Sequence, residues 1–434
     1  MTRPSATPLS PGLTRQDIRT LVLASLGGAL EFYDFIIFVF FAAAIGHLFF
    51  PSSMPDWLQT VQTFGIFAAG YLARPLGGMI MAHFGDKIGR KRMFTLSVFL
   101  MAVPTLLIGL TPTYETIGYA APLLLLLFRM MQGAAIGGEA PGAWVFVAEH
   151  VPAHRMGLAV GLLTGGLTGG ILLGSLMATA INMAFTPAEV AGYAWRIPFL
   201  AGGVFGLMAM YLRRWLHETP IFEEMRRRAE LVRDLPIKAV LRGHGRAVII
   251  SMLMTWMLTA GIVVLILMTP PLMQKLYAIP ATQTLVASIA ATLTLTLCAM
   301  LTGAALDRFG AKPVMLVGGP ALILSAYALW AGTAADSGLL LPLHALAGAC
   351  VGLITIVPYI MVRAFPPAIR FSGISFAYNM AYAVFGGITP PAVSLMLAAD
   401  RMAPAHYVAA VTGVAIITVV AQAGRLRRLA VQAA

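Results

Sequence analysis

From Leu123 to Val147 the chain is apolar but for Arg129, Gln132 and Glu139, long enough to cross a bilayer as one helix. Comparable runs recur along the whole sequence. Hydrocarbon offers no partner to a backbone N–H or C=O, so only α-helices and closed β-barrels cross it. Barrel strands alternate apolar and polar residues over segments of about ten, and these runs do not alternate. An all-α membrane protein is therefore expected. Composition supports this: 59% of the 434 residues are hydrophobic and only 11% are charged, whereas a soluble domain carries about 25% charged residues.

With about 20 apolar residues taken as one span, twelve segments emerge: 20–50, 59–84, 93–111, 120–148, 157–183, 196–214, 247–270, 282–305, 314–332, 339–362, 372–398 and 405–423. The loops between them alternate in charge. Lys87, Arg90, Lys91, Arg92, Arg155, Arg308, Lys312, Arg363 and Arg370 fall on one side. Of 29 Lys and Arg, only Arg196, Lys275 and Arg401 fall in opposite loops, which carry Asp56, Glu115, Glu189, Asp336 and Asp400. This positive-inside bias predicts a multi-pass protein of a bacterial-type inner (plasma) membrane with both termini in the cytoplasm. The net charge of +12 is thus explained by topology, with no nucleic-acid partner. The polar N-terminus, Met1 to Asp17, has no signal-peptide pattern. Cys298 and Cys350 lie in apolar runs and read as small core residues, not as a disulfide or metal framework.

One long polar stretch interrupts the chain near its middle. The expected organisation is a cytoplasmic tail (1–19), a six-helix bundle (20–212), a cytoplasmic linker (213–246), a second six-helix bundle (247–423) and a short cytoplasmic tail (424–434). The halves repeat. Gly85-Asp86-Lys87-Ile88-Gly89-Arg90-Lys91 aligns with Leu306-Asp307-Arg308-Phe309-Gly310-Ala311-Lys312, and Pro152-x-x-Arg155-x-Gly157 is echoed by Pro367-x-x-Arg370-x-x-Gly373. Matched loops at matched places imply two related bundles, a geometry suited to rocking about a site between them.

With these motifs in view, the chain resembles the major facilitator superfamily, and within it the metabolite:proton symporters that carry proline/betaine, shikimate, α-ketoglutarate or citrate. The supporting segments are Gly85–Lys91, Leu30-Glu31-Phe32-Tyr33-Asp34-Phe35, Arg74-Pro75-Leu76-Gly77-Gly78, Arg129-x-x-Gln132-Gly133 with Gly137-Gly138-Glu139, Trp195-Arg196-Ile197-Pro198-Phe199, Glu218-Thr219-Pro220-x-Phe222 and Phe365-Pro366-Pro367-x-x-Arg370. Nearly all of residues 20–420 is covered. The resemblance implies twelve transmembrane helices in two pseudo-symmetric bundles, and a gate in which Asp86 faces the start of helix eleven. Lys87, Gly89, Arg90, Lys91, Asp307 and Arg308 belong to the gating loops. The chain departs from the family pattern at Ala311, where Arg is usual, and at Ala140-Pro141 after Glu139, where Tyr is common. The absence of Gly-Pro in the fifth segment favours symport over antiport.

Charge inside a membrane helix is costly, about 2.5 kcal/mol or more, and marks functional candidates. Five such residues lie deep in the first half: Glu31, Asp34, Arg74, Arg129 and Glu139. The second half offers none at that depth, His344 being the nearest. Glu31 and Asp34 are three apart, on one helical face. Carboxylates that close in a low dielectric do not both ionise readily, which suits a proton-coupled carrier; permanent pairing with Arg74 or Arg129 is the structural alternative. Arg129 and Gln132 share a face, with Glu139 close to it, and an inward guanidinium can clamp a carboxylate. Proton coupling is therefore expected of Asp34, Glu31, Glu139 and His83, and substrate binding of Arg129, Arg74, Gln132, Tyr378 and Asn379. For each of these, packing between helices is the competing reading.

No nucleotide-binding Gly-x-x-x-x-Gly-Lys-Ser/Thr loop, HExxH or CxxC occurs in the sequence, so no enzyme activity and no cofactor are expected; the proton gradient supplies the energy. The leading expectation is a monomeric symporter importing a small organic anion, a di- or tricarboxylate such as citrate or α-ketoglutarate. Alternatives are a symporter for a zwitterionic osmolyte or shikimate-like acid, a proton-driven exporter, and a membrane sensor that binds a metabolite without moving it.

Overall fold

The computed structural model describes residues 15–228 and 236–432. Residues 1–14, linker positions 229–235 and the side chains from 423 onward, including Arg425, Arg427 and Arg428, lie outside the described residues. Among those described, twelve helices are long and apolar enough to cross a membrane. They are α1 (Ile18–Phe40), α2 (Val61–Ile88), α3 (Arg90–Leu110), α4 (Ala120–His150), α5 (Ala153–Ala184), α6 (Val190–Arg213), α7 (Gly245–Tyr277), α8 (Thr282–Phe309), α9 (Ala311–Ala335), α10 (Ser337–Ala364), α11 (Pro367–Leu397) and α12 (Ala403–Gln422). No strand occurs among the described residues. The fold is two pseudo-symmetric six-helix bundles.

Three boundaries differ from those expected. The first apolar segment divides at Phe41 into a spanning helix and a short helix Ala42–Phe49. Residues 15–19, assigned to the tail, are already helical. Arg213, assigned to the polar linker, closes α6 and is fully buried. Burial beside a carboxylate outweighs the polarity that placed it in the linker. The rest of the linker includes two short helices, Pro220–Arg227 and Pro236–Gly243.

Lipid is as apolar as leucine, so helices associate through close packing of small residues. Gly70, Gly77 and Gly78 of α2 meet Gly133, Ala134 and Gly137 of α4 so tightly that a Cβ on any of these five glycines would touch the facing backbone or its side chains. Across the halves, Gly157 and Gly161 of α5 meet Gly303 of α8 in the same way, and Gly165 meets Met300; Gly169 has nothing within 4 Å. Large apolar residues such as Leu72, Val317 and Leu395 are exposed and available to lipid.

Two reversals between spanning helices use a single glycine. Gly89 joins α2 to α3 with φ +121°, and Gly310 joins α8 to α9 with φ +80°. Both lie in the left-handed region that favours glycine. Both are on the face that carries the Lys/Arg-rich loops, hereafter the basic face. The polar contacts that join the two halves cluster towards that face: α2 and α4 with α11, and α5 with α8.

Two of the second-half helices contain π segments, Gly261–Met268 in α7 and Tyr382–Gly386 in α11. Such segments shift the hydrogen-bond ladder by one residue and occur frequently at functional sites. In α7 the Thr269 hydroxyl donates to the Val264 carbonyl (3.0 Å), and Nε2 of the buried His344 lies 2.7 Å from the Leu265 carbonyl.

Candidate functional site

On α1, Glu31 and Asp34 are both buried, and each has its own arginine. Asp34 Oδ2 accepts from Arg129 Nη1 at 2.9 Å, and Asp34 Oδ1 accepts from the Thr105 hydroxyl at 2.9 Å. Gln132 closes a ring: its Oε1 accepts from Arg129 (2.7 Å) and its Nε2 donates to Thr105 (2.8 Å). The guanidinium lies over Phe38 (4.2 Å) and Phe67 (5.2 Å). Asp34 is thus held by α3 and α4 together.

Glu31 is held more loosely. Its Oε1 is 3.4 Å from Arg74 Nη2, and its buried Oε2 has no hydrogen-bond partner among the described residues. Arg74 sits among three tyrosine rings, Tyr71 (5.6 Å), Tyr378 (5.9 Å) and Tyr382 (4.6 Å). Tyr378 and Tyr382 come from the other half, so this guanidinium bridges the bundles. Glu31, Arg74, Tyr71 and Tyr382 line a cavity between the halves whose walls include Ile136, Ile171 and Ile262. Its free volume is about 20 Å³, room for little more than one water. A second void of similar size, lined by Arg74, Arg129 and Gln132, adjoins it. The site is closed around its charged groups.

The other expected site residues lie elsewhere. Glu139 is about 15 Å from Arg129 along α4, toward the basic face. It is paired with Arg213 at 2.5 Å, and both side chains are fully buried. The Ser97 hydroxyl donates to Glu139, while Arg213 also donates to the carbonyls of Phe94 and Ala24. The pair ties α4, α6, α3 and α1 together inside the first half, and neither residue lines the inter-bundle cavity. His83 is half-buried near the end of α2, beside Phe84 and away from both voids. Asn379 donates to the Gly137 carbonyl (2.7 Å) and to Ser375, joining α11 to α4. Tyr378 packs edge-on against Trp144 of α4 (4.9 Å). Trp256 stacks on Phe385 (4.5 Å) and donates to Tyr407, joining α7, α11 and α12.

At the basic face, Asp86 Oδ2 accepts from the Ser372 backbone N–H at the start of α11 (2.9 Å), and its other oxygen is 3.5 Å from Arg90. Arg90 Nε is 2.9 Å from Glu149, and Arg90 Nη2 donates to the Pro367 carbonyl at 2.8 Å. Arg370 also reaches Glu149, at 3.0 Å, and Thr219 donates to it at 2.8 Å. Glu149 therefore sits between one arginine from each half. Glu218 accepts from the backbone N–H groups of Arg90 (3.1 Å) and Lys91 (3.2 Å), capping α3 where the helix dipole favours an anion. Lys91 donates to the Arg214 carbonyl (3.3 Å), and Lys87 is half-buried.

The repeated loop is built differently. Asp307 accepts from the N–H groups of Gly157 (2.6 Å) and Leu158 (2.7 Å) at the start of α5. Arg308 is exposed, its guanidinium 5.2 Å from the Phe309 ring. Ala311 and Ala364 stand where Arg90 and Glu149 stand in the first copy.

Sequence reasoning overlooked Thr105, Tyr71, Tyr382, Glu149, Arg213 and Glu218. Glu149 and Arg213 carried a signal: Glu149 is a single acid at the end of one apolar run and Arg213, followed by Arg214, ends another, on the side where basic loops gather. Thr105 carried none, since a threonine in a membrane helix usually bonds its own backbone, as this one also does at 2.8 Å to Met101.

A profile of the Major Facilitator Superfamily matches residues 24–391. A citrate-proton symporter of Klebsiella pneumoniae is 30% identical, with 90% of this chain and 88% of that protein covered. A proline/betaine transporter of Escherichia coli is also 30% identical, over 92% of this chain and 82% of that protein. Among solved structures, a proton:xylose symporter bound to 6-bromo-6-deoxy-D-glucose superposes with a TM-score of 0.76 at 18% identity, covering 93% of this chain and 95% of that one.

Proposed function

Because the chain belongs to the major facilitator superfamily and is a membrane transporter, we propose that it is a proton-coupled symporter importing a small organic anion by alternating access. The observation that carries this reading is the single 3.4 Å contact between Glu31 and Arg74 at the cavity between the halves, with one Glu31 oxygen left unpartnered among the described residues. A proton taken up by Glu31 removes the counter-charge of Arg74. A substrate carboxylate then takes its place, so proton and anion enter together and the buried net charge does not change. When the halves tilt and Glu31 releases its proton, the carboxylate of Glu31 returns to Arg74 and displaces the substrate. Asp34, saturated by Arg129 and Thr105, holds α1 against α3 and α4 during this exchange. The Glu139–Arg213 pair is a structural tie.

In this reading the basic face is cytoplasmic, the protein acts as a monomer in the inner membrane, and no cofactor takes part. The cluster around Asp86, Arg90, Glu149 and Arg370 closes the cytoplasmic side while the site loads from outside. Proteoliposomes with an inward proton gradient test it, using 2-oxoglutarate, citrate, 4-methyl-2-oxopentanoate and glycine betaine as probes. At least one anion accumulates in the wild type. In Glu31→Gln, uphill accumulation falls by about 100-fold or more while exchange without a gradient persists. Undiminished uphill uptake by Glu31→Gln removes Glu31 from the coupling role.

A further inference from the structure

The cavity's chemistry narrows the substrate further, on the premise that the symporter reading above is right. Arg74 is the arginine that meets both voids and the opposite half, and its counter-ion Glu31 is held at a single 3.4 Å contact. Arg129 borders only the adjoining void, where Asp34 neutralises it at 2.9 Å and Gln132 occupies the same nitrogen. A second substrate carboxylate would have no uncompensated cation to meet.

The walls point the same way. Ile36, Ile136, Ile171, Ile262, Val263 and Leu267 face the cavity. Three of these belong to the π segment of α7, and Tyr382 belongs to the π segment of α11. The second half therefore presents aliphatic side chains and one phenol, delivered by the two irregular turns of its helices. A carboxylate placed against that surface would be desolvated without compensation.

We infer that the substrate is a monocarboxylate with an apolar body: its carboxylate on Arg74, its aliphatic or aromatic end against the π-helical wall of α7. The sequence makes a di- or tricarboxylate the leading expectation, whereas the geometry leaves one of the two intramembrane arginines, Arg74, for the substrate.

Two nearly isosteric probes separate the classes. 4-Methyl-2-oxopentanoate and 2-oxoglutarate share a 2-oxo acid head and the methylene beside it, and end in an isopropyl group and a carboxymethyl group respectively. Both are almost fully ionised at neutral pH, so they cross lipid slowly unaided. In wild-type proteoliposomes with an inward proton gradient, kcat/KM for 4-methyl-2-oxopentanoate is expected to exceed that for 2-oxoglutarate on the order of 100-fold. Val263→Thr, which keeps the side-chain volume, raises KM for the branched acid about 10-fold with kcat unchanged. Ile262→Thr serves as the second wall variant. Equal or better uptake of 2-oxoglutarate or citrate overturns the inference and leaves proton-coupled anion transport standing. An unchanged KM in both wall variants overturns the assigned wall. Accumulation of glycine betaine alone, or of no probe beyond protein-free liposomes, overturns the symporter reading and the inference with it.

Discussion

The two copies of the loop at the basic face share a backbone and differ in what they hold. Gly89 and Gly310 each turn one spanning helix directly into the next, both with φ in the left-handed region. Asp86 and Asp307 each accept backbone N–H groups at the start of a helix in the opposite half. There the likeness ends. Asp86 belongs to a buried cluster with Arg90, Glu149 and Arg370, backed by Glu218. Asp307 is half-buried, with Arg308 exposed and Ala311 where the first copy has Arg90. The repeat thus transmits a turn and a helix cap, while the ionic cluster depends on Arg90, which the second copy replaces with Ala311, and on partners outside the motif.

Five substitutions test how unequal the copies are. The largest effect is expected from Glu149→Gln, which leaves the buried Arg90 and the half-buried Arg370 without their shared anion. Removing one partner of a buried ionic group costs about 3–5 kcal/mol, so the closed basic face should lose population steeply. A Ser375→Cys reporter should then react with a permeant maleimide at least about 100-fold faster than in the parent. An unchanged rate would show that the cluster does not hold this face shut.

A smaller effect comes from the turns. A Cβ at Gly89 would strike the Glu218 carboxylate, whereas one at Gly310 has nothing within 4 Å. Gly310→Ala bears only the penalty of a positive φ with extended ψ, a conformation almost confined to glycine, about 1–3 kcal/mol. Gly89→Ala adds the loss of charge-assisted bonds to Glu218, about 1.5–3 kcal/mol more. Melting of the purified protein should rank Gly89→Ala below Gly310→Ala. Equal melting would mean that Glu218 moves aside freely.

The smallest effects lie in the second copy. Asp307→Ala should cost about 1 kcal/mol, as for a lost helix cap, and Arg308→Gln less than about 0.5 kcal/mol, as for an exposed side chain. Melting and uptake both check this. A large loss of uptake in Arg308→Gln would restore the equality that the sequence repeat suggests.

Much of the architecture was legible before the structure. Twelve apolar runs, a basic loop after each even-numbered span and two aligned Asp-basic-x-Gly motifs require only the bilayer's dimensions and the rule that lipid satisfies no backbone group. The candidate site was legible in part. Glu31, Asp34, Arg74 and Arg129 stand out because charge in hydrocarbon is rare, and they do gather in one place. Which acid meets which arginine was not legible, because those pairings cross between helices separated by tens of residues. Helical spacing places Glu31 and Asp34 on one face, yet says nothing of Thr105 and Gln132 saturating only the second. Glu139 and Arg213 mislead in the same way. In sequence Glu139 is an isolated charge and a coupling candidate, and Arg213 is one of two adjacent arginines that open the linker, until the fold brings them to 2.5 Å.

The sequence by itself determined the span count, the charge asymmetry of the loops and which half carries the buried ions. These follow from local composition measured against a fixed membrane thickness. Tertiary structure alone decided which ion pair stays loose at the cavity, which pairs are sealed as ties, and that π segments of α7 and α11 present an aliphatic wall opposite Arg74. Those depend on distances between helices, and a side chain's electrostatic role is set by the partners within a few ångströms of it rather than by its neighbours in the chain.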